Sequence, residues 1–261
     1  MSTSSNDRSA RQAKIKAAAP KESNLKPVLA TIIAVLAIAG IAAAIVFGMQ
    51  DRGGDDAQAA GVPRGAQSAN GGILLNATDP GQGVPVVDVY EDFQCHWCKT
   101  FHEILGPKLD ELATSGEAKV VIHMKNFLDQ GESGESTRIA NAAACAADVS
   151  PQAFMKTRDA LMNAQPEQGQ PGWTEETMKK IADDAGITGD ARQTYDKCVS
   201  DVKYKSYIAA VDEQSARDGV TATPSYKING QPFDLGQVLD QNTGATNPEA
   251  FTQAVEAAKK N

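Results

Sequence analysis

The chain has 261 residues, of which 41% are hydrophobic, and a formal net charge of −8. This length allows one large domain or two small ones, with a sizeable core. The negative charge excludes nucleic acid as a partner, because phosphate binding requires a basic surface. The charge is also uneven. Residues 1–26 carry six basic and two acidic side chains, a net of 6 − 2 = +4, so the remainder carries −8 − 4 = −12.

Residues 27–49 form an apolar run, PVLATIIAVLAIAGIAAAIVFGM, that contains no charged side chain. At a rise of about 1.5 Å per residue, a helix of this length crosses the roughly 30 Å hydrocarbon core of a bilayer. A buried core helix is the alternative, but such helices rarely stay apolar on every face. The basic segment in front of the run predicts a cytoplasmic N-terminus and an extracytoplasmic body.

We predict that this transmembrane helix is an uncleaved signal-anchor, because the apolar core of a cleaved signal peptide usually has only about 7 to 15 residues. The sequence AQA at 57–59 resembles a cleavage site and keeps cleavage open as an alternative. Residues 1–26 are predicted as a basic cytoplasmic tail and the Gly- and Ala-rich residues 50–70 as a flexible linker. The folded domain is then expected over residues 71–261.

Hydrophobic periodicity divides the expected domain into strands and helices. The predicted elements are strands at 71–76 and 84–90, a helix at 97–113, a strand at 118–127, helices at about 135–148, 151–163, 174–185, 190–200 and 202–217, strands at 224–230 and 231–235, and a helix at 246–260. A strand–helix–strand unit and a hairpin–helix unit flank the helical block. The order therefore predicts an α/β domain with a helical subdomain inserted at about 130–218.

The motif FQCHWC at 93–98 places Cys95 and Cys98 where a strand gives way to a helix. Zinc is one alternative, but it requires a second close pair of ligands, which the other cysteines and histidines do not offer at metal spacing. A permanent structural disulfide between Cys95 and Cys98 is a second alternative, but closing so short a loop removes little entropy from the unfolded chain. Thiol–disulfide exchange fits better, because the positive end of a helix favours a thiolate at Cys95.

The residues around the pair have further candidate roles. Cys98, one turn inside the helix, is predicted to be buried and to resolve mixed disulfides. A cationic His96 would lower the pKa of Cys95, although the ring could also be an exposed spacer. Trp97 is either an exposed contact for substrate proteins or a residue packed on the helix.

Three acids precede the pair, and one of them could relay protons to Cys98. The simpler interpretation is that Asp88, Glu91 and Asp92 lie at the surface or at the end of the strand.

Cys145 and Cys198 both fall in the helical block and are predicted to form a structural disulfide. On the chain-entropy estimate, closing a loop of roughly 50 residues stabilises the fold by about 4 kcal/mol. Two buried free thiols are the alternative, because cysteine often behaves as a small hydrophobe.

The segment GVTATPSYKING at 219–230 places Pro224 at the start of a strand. A cis bond between Thr223 and Pro224 would turn the chain sharply and leave backbone groups of Thr223 free. Those groups could then pair with an extended substrate chain beside Cys95.

Together, VVDVYEDFQCHWC at 86–98, GVTATPSYKING at 219–230 and the helical block between them resemble the DsbA-like branch of the thioredoxin superfamily, over residues 71–261. With the charge-poor run at 27–49, the chain is similar to the membrane-anchored oxidases of actinobacteria. The resemblance implies a thioredoxin fold with an inserted helical subdomain, preceded by a single transmembrane helix.

The resemblance also implies a nucleophile at Cys95, a resolving thiol at Cys98 and a cis-proline at Pro224 preceded by Thr223. Substrates would be the thiols of exported proteins, and a quinone-linked membrane partner, VKOR-like or DsbB-like, would reoxidise the pair. No cofactor or metal is implied. Val89 stands where many members carry a buried acid, six residues before the first cysteine.

We therefore expect a membrane-anchored, extracytoplasmic oxidoreductase that introduces disulfides into exported proteins. A reductase or isomerase on the same fold is the enzymatic alternative, and a redox-inert binding or sensor module is the alternative from another class.

Overall fold

A computed structural model describes residues 61–129, 134–167 and 172–259 of the chain. The predicted tail (1–26), the predicted transmembrane helix (27–49) and the first part of the predicted linker lie outside these ranges. None of the helices within the described ranges combines the length and the apolar character that crossing a membrane requires.

The described residues contain the predicted succession of strands and helices. The elements are β1 Ile73–Leu74, β2 Val86–Glu91, α1 His96–Ser115, β3 Lys119–Met124, α2 Glu135–Val149, α3 Pro151–Asn163, α4 Glu175–Asp184, α5 Gly189–Ser200, α6 Lys205–Arg217, β4 Ser225–Ile228, β5 Gln231–Phe233 and α7 Glu249–Ala258.

The strands form one five-stranded sheet in the order β1-β3-β2-β4-β5. Strand β2 runs parallel to β3, with Val89 opposite Ile122, and antiparallel to β4, with Val89 also opposite Tyr226. The parallel pair is possible because α1 supplies the crossover between β2 and β3. Strand β2 is therefore central, and its C-terminal end leads directly into the cysteine pair.

Helix α1 packs one apolar face on the sheet, as its periodicity predicts. Leu105, Leu109 and Leu112 recur at helical spacing and are buried, together with Val87 and Val89 of β2. Burial of a leucine side chain stabilises a fold by about 1.5–3 kcal/mol. This contact fixes α1, and with it the cysteines at its N-terminus, against the strand that precedes them.

The helical subdomain comprises α2 to α6 and lies between β3 and β4 in the chain, as predicted. Helix α2 is rich in alanine, and most of its residues are buried, which lets neighbouring helices approach it closely. Its N-terminal end meets the turn that carries the cysteines, through Ser136. The thioredoxin-like α/β fold with a helical insertion is thus present.

The boundary predicted for the linker at residue 70 is wrong. Val62 is buried in the core, and Ala66 forms a bridge with Ile73 of β1. The amide of Leu74 also donates to the carbonyl of Gly65 at 2.9 Å. Apolar Val62 and this short pairing attach residues 61–70 to the domain, although their Gly- and Ala-rich composition is typical of a tether.

Candidate active site

A four-residue turn, Asp92 to Cys95, joins the end of β2 to the start of α1. The amide of Cys95 donates to the carbonyl of Asp92 at 2.9 Å, and Cys95 is the N-cap of the helix. Both Cys95 and Cys98 are free thiols with little exposed surface, 9% and 2% respectively. The pair therefore sits where amide groups of the first helical turn are directed at Cys95.

The loop before β4 closes over the outer thiol. The Thr223–Pro224 peptide bond is cis. Cys95 Sγ donates to the carbonyl oxygen of Thr223 at 3.3 Å. The hydroxyl of Thr223 is buried and has no partner among the described residues. When Cys95 is deprotonated, its Sγ no longer donates to the carbonyl of Thr223. The Thr223 hydroxyl can then donate a hydrogen bond to the Cys95 thiolate.

The surroundings of Cys95 favour its thiolate. A hydrogen bond from the Cys98 thiol lowers the pKa of Cys95 most, against the opposing effect of burial. Thr223 and the backbone amides of Cys98 and Trp97 contribute further, and together they bring this pKa to about 6. Because the anion is the nucleophile in disulfide exchange, these contacts favour Cys95 over Cys98 as the reactive thiol of the pair.

Cys98 is held in the opposite state. Burial raises its pKa well above the ordinary thiol value, and the neighbouring Cys95 raises it further. The amide of Asp92 approaches Cys98 Sγ at 3.5 Å and opposes this rise in pKa. One thiolate and one thiol, in contact, are thus the stable form of the reduced pair.

Glu91 and Asp92 lie at the end of β2, as the simpler interpretation expected, but both are buried rather than at the surface. Asp92 is fully buried, and burial raises the pKa of its carboxyl to about 6. It accepts hydrogen bonds from the hydroxyl of Ser136 at 2.6 Å and the amide of Leu128 at 3.1 Å. Asp88 is half-buried and pairs with His123 at 2.9 Å.

Glu91 is also buried, and it pairs with Arg158 of α3. Arg158 Nε and Nη2 each donate to one carboxylate oxygen of Glu91 at 2.7 Å, and neither side chain is exposed to solvent by more than 3%. The two-fold hydrogen bond pairs the two charges directly, which is the condition under which a buried ion pair is tolerated.

The two residues between the cysteines are exposed. The rings of His96 and Trp97 meet edge to face at 6.0 Å, and Trp97 is 44% exposed. Trp97 is therefore available to a substrate rather than packed on the helix. The contacts that lower the pKa of Cys95 most do not involve the imidazole of His96.

The structure adds Phe127, which sequence analysis did not single out. It follows β3 and is also 44% exposed, and it lies next to Leu128, which is bonded to Asp92. Lys125, at the end of the same strand, reaches the carbonyl of Val220 in the loop before β4. Phe127 is thus, with Trp97, a large exposed apolar side chain of the described residues, and its place in the predicted strand 118–127 concealed this.

Cys145 of α2 and Cys198 of α5 are joined in a disulfide, with 53 residues of sequence separation. Both are buried, so this bond ties two helices of the insertion together and is separate from the exchanging pair. Within the described ranges, no group of three or more His, Cys, Asp or Glu side chains is arranged to hold a metal ion.

The site belongs to a thiol–disulfide oxidoreductase with a thioredoxin fold. It combines a stabilised thiolate at a helix N-terminus, a buried partner thiol and a cis-proline loop over both. Residues 83–257 match the profile of the family described as Thioredoxin, and the chain therefore belongs to that family.

Several solved structures share the fold. DsbA from Mycobacterium tuberculosis, in its reduced form, is 26% identical, with a TM-score of 0.57 over 72% of this chain and 91% of that one. The disulfide bond oxidoreductase DsbG of the same organism is 27% identical, with a TM-score of 0.55 over 71% and 86%. The thiol–disulfide oxidoreductase MdbA from Actinomyces oris is 19% identical, with a TM-score of 0.62 over 76% and 89%, and supports the fold alone. A search of curated proteins found no match.

Proposed function

We propose that this protein is an extracytoplasmic oxidase that introduces disulfides into exported proteins through the Cys95–Cys98 pair. The observation that carries the proposal is the opposite direction in which the two thiols are perturbed, with the pKa of Cys95 at about 6 and that of Cys98 well above its ordinary value. A stabilised thiolate stabilises the reduced pair, and this makes the corresponding disulfide a stronger oxidant.

The exchange proceeds in two steps. A substrate thiolate attacks Cys95 Sγ of the disulfide, a mixed disulfide forms, and Cys98 leaves as a thiolate that takes up a proton because its pKa is high. A second substrate thiolate then attacks the substrate sulfur, forms the substrate disulfide and releases Cys95 as a thiolate. Two electrons pass from the substrate to the pair.

The buried carboxyl of Asp92 is a candidate donor of the proton to Cys98. Its pKa of about 6 lets it gain and lose a proton near neutral pH, and its own amide contacts Cys98 Sγ. The backbone of Thr223, beside Cys95, and the exposed ring of Trp97 are the proposed contacts for the substrate chain. A quinone-linked membrane reoxidase, VKOR-like or DsbB-like, would restore the disulfide.

The direction of the exchange is tested with the full-length protein and a reduced, unfolded substrate that has two cysteines. Loss of substrate thiols should match the gain of thiols at Cys95 and Cys98, and Cys95→Ser should abolish both. The double variant Cys145→Ala/Cys198→Ala, which leaves the pair intact, is the matched control. If substrate thiols are lost equally fast with Cys95→Ser, the proposal is contradicted and a redox-inert module is favoured.

The proposed extracytoplasmic location of the domain rests on the charge asymmetry around residues 27–49. These residues are proposed to span the membrane and to anchor the domain on its extracytoplasmic side. Protease added to spheroplasts should degrade residues 61–261 and spare the basic tail. Protection of the domain would contradict the extracytoplasmic assignment, and a domain released in soluble form would identify a cleaved signal instead of an anchor.

A further inference from the structure

The helical insertion contacts the turn that carries Cys95 through one buried amide side chain. Gln165 lies two residues after the end of α3 and is 9% exposed. Its amide nitrogen donates to the carbonyl oxygen of Phe93 at 2.5 Å and to that of Cys95 at 3.0 Å. These carbonyls belong to the last residues before the first turn of α1, and Gln165 is 70 residues away from Cys95 in the sequence.

The two carbonyls have an electrostatic effect on the thiolate. A carbonyl oxygen carries partial negative charge, and near an anion it opposes ionisation unless a donor compensates it. The Gln165 amide supplies a compensating hydrogen bond to each of the Phe93 and Cys95 carbonyls. The Cys95 carbonyl also accepts from the amide of Lys99 at 3.3 Å, so the Phe93 carbonyl depends on Gln165 more. The same bonds fix the turn in the conformation that directs the amides of Trp97 and Cys98 at Cys95 Sγ.

A second residue of the insertion also holds the turn. The hydroxyl of Ser136 donates to Asp92 at 2.6 Å and accepts from the side chain of Gln94 at 2.7 Å. All four residues of the turn, 92 to 95, are therefore bonded to the insertion by Ser136 or Gln165. The backbone of Gln165 is held to α3, since its N–H donates to the carbonyl of Met162 in the last turn of that helix at 3.2 Å.

We propose that Gln165 is a positioning residue that sets the thiolate stability of Cys95, so that the helical insertion tunes the potential of the pair. This inference rests on the proposed role of Cys95 as the nucleophile. Gln165→Met keeps the length of the side chain and removes the donors. The Phe93 carbonyl then loses its compensating hydrogen bond, the Cys95 carbonyl keeps only the one from the Lys99 amide, and the turn loosens, so that these effects disfavour the anion.

The test compares Gln165→Met with Trp173→Phe in the full-length protein. Trp173 is the matched control because its indole donates to the carbonyl of Leu161 in α3 at 3.0 Å without touching the turn. Gln165→Met should raise the pKa of Cys95 by about one unit, measured by thiolate absorbance. At pH 7 the equilibrium constant for reduction of the Cys95–Cys98 disulfide by glutathione should fall about fivefold in this variant. That fall corresponds to a reduction potential more negative by about 20 mV.

Trp173→Phe should lower the thermal unfolding temperature while leaving the pKa and the constant unchanged. Gln165→Asn, which keeps the amide but is too short to reach both carbonyls, should give a smaller change in the same direction and remains measurable should the Met variant not fold. Unchanged values in both Gln165 variants, or an equal change in Trp173→Phe, would overturn the inference. A wild-type pair that does not oxidise substrates would instead overturn the proposed function, whatever Gln165 does.

Discussion

At the scale of single residues, the reactivity of Cys95 depends on donors that surround its sulfur. The Cys98 thiol makes the largest contribution to its lowered pKa, and the Thr223 hydroxyl and two helix amides add to it. The imidazole of His96 is exposed and is not among these contacts, and the field of an exposed charge is screened by solvent and salt. The contacts therefore rank Cys98 above His96, which the sequence offered as one contributor to the lowered pKa beside the helix end.

This ranking predicts a difference between two substitutions of the buried thiol. Cys98→Ala should raise the pKa of Cys95 by about one unit or more, because it removes the principal donor, whereas Cys98→Ser should keep the pKa low through its hydroxyl. His96→Ala should raise the pKa less than Cys98→Ala does. Thiolate absorbance titration of all three variants measures the order, and a larger effect of His96→Ala would show that the imidazole dominates.

Asp92 makes the stability of the reduced protein depend on pH. Burial raises its pKa from 3.8 to about 6 in the folded state, so the folded protein binds this proton more tightly than the unfolded chain does. The stabilisation is present below about pH 4 and is lost as the pH rises through about 6. A pKa difference of this size between the folded and unfolded states corresponds to about 3 kcal/mol at most.

Asp92→Asn should remove that part of the pH dependence. Urea unfolding of the reduced protein between pH 4 and 7 should show a loss of stability with rising pH that is smaller in the variant than in the wild type. Burial also raises the pKa of Asp159, to about 7. Because Asp159 is present in both proteins, the difference between their pH curves belongs to Asp92. Parallel pH curves for the two proteins would mean that Asp92 does not titrate in this range.

At the scale of elements, the helical insertion is attached to the sheet by charge as well as by apolar packing. Arg158 of α3 and Glu91 of β2 form a buried ion pair across 67 residues of sequence. Arg158→Met should lower the free energy of unfolding by about 3–5 kcal/mol, because it leaves the Glu91 carboxylate buried without a partner.

The double variant Arg158→Met/Glu91→Leu is the control for this prediction. It removes both charges of this pair and should recover the part of the loss that comes from the unpaired Glu91 carboxylate, since well-packed apolar residues often replace a buried ion pair without cost. Asp159, 3.6 Å from Arg158 Nη1, loses its neighbouring cation in both variants. Denaturant unfolding of the wild type, Arg158→Met, Glu91→Leu and the double variant gives the coupling between the two sites. A double variant that is as unstable as the sum of the single ones would show that packing, and not the unpaired charge, causes the loss.

The disulfide between α2 and α5 should behave differently from the exchanging pair. Reduction of Cys145–Cys198 releases a cross-link worth about 4 kcal/mol for a loop of this size, whereas reduction of Cys95–Cys98 gains a stabilised thiolate. Graded dithiothreitol followed by mass spectrometry should therefore open Cys95–Cys98 first. The opposite order would contradict a structural role for the second bond.

At the scale of the whole molecule, sequence periodicity predicted the sheet and helices well, because apolar residues at spacing 2 and 3.6 record which faces are buried. The cysteine pair and the Thr223–Pro224 loop were also recognisable, since each combines a local motif with a strand or helix boundary. The burial of Glu91 and Asp92 was not predictable. Their partners, Arg158 and Ser136, are 67 and 44 residues away, and nothing local marks them.

Gln165 and Val62 escaped prediction for the same reason. A glutamine after a helix and a valine in a Gly-rich stretch have no periodic signal, and only the tertiary structure shows what they touch. Residues that act through backbone carbonyls, as Gln165 does, leave no motif in the sequence.

The most direct test of an oxidase built on a stabilised Cys95 thiolate is the reduction potential of the Cys95–Cys98 pair in the full-length protein. Equilibration with glutathione at pH 7, with Cys145–Cys198 intact, gives the value. The stabilised thiolate predicts a potential less negative than about −180 mV, the value for protein disulfide isomerase, and closer to the roughly −120 mV of the strong oxidants of this fold. A more negative value would contradict the account, and one near the roughly −270 mV of thioredoxin would identify a reductase.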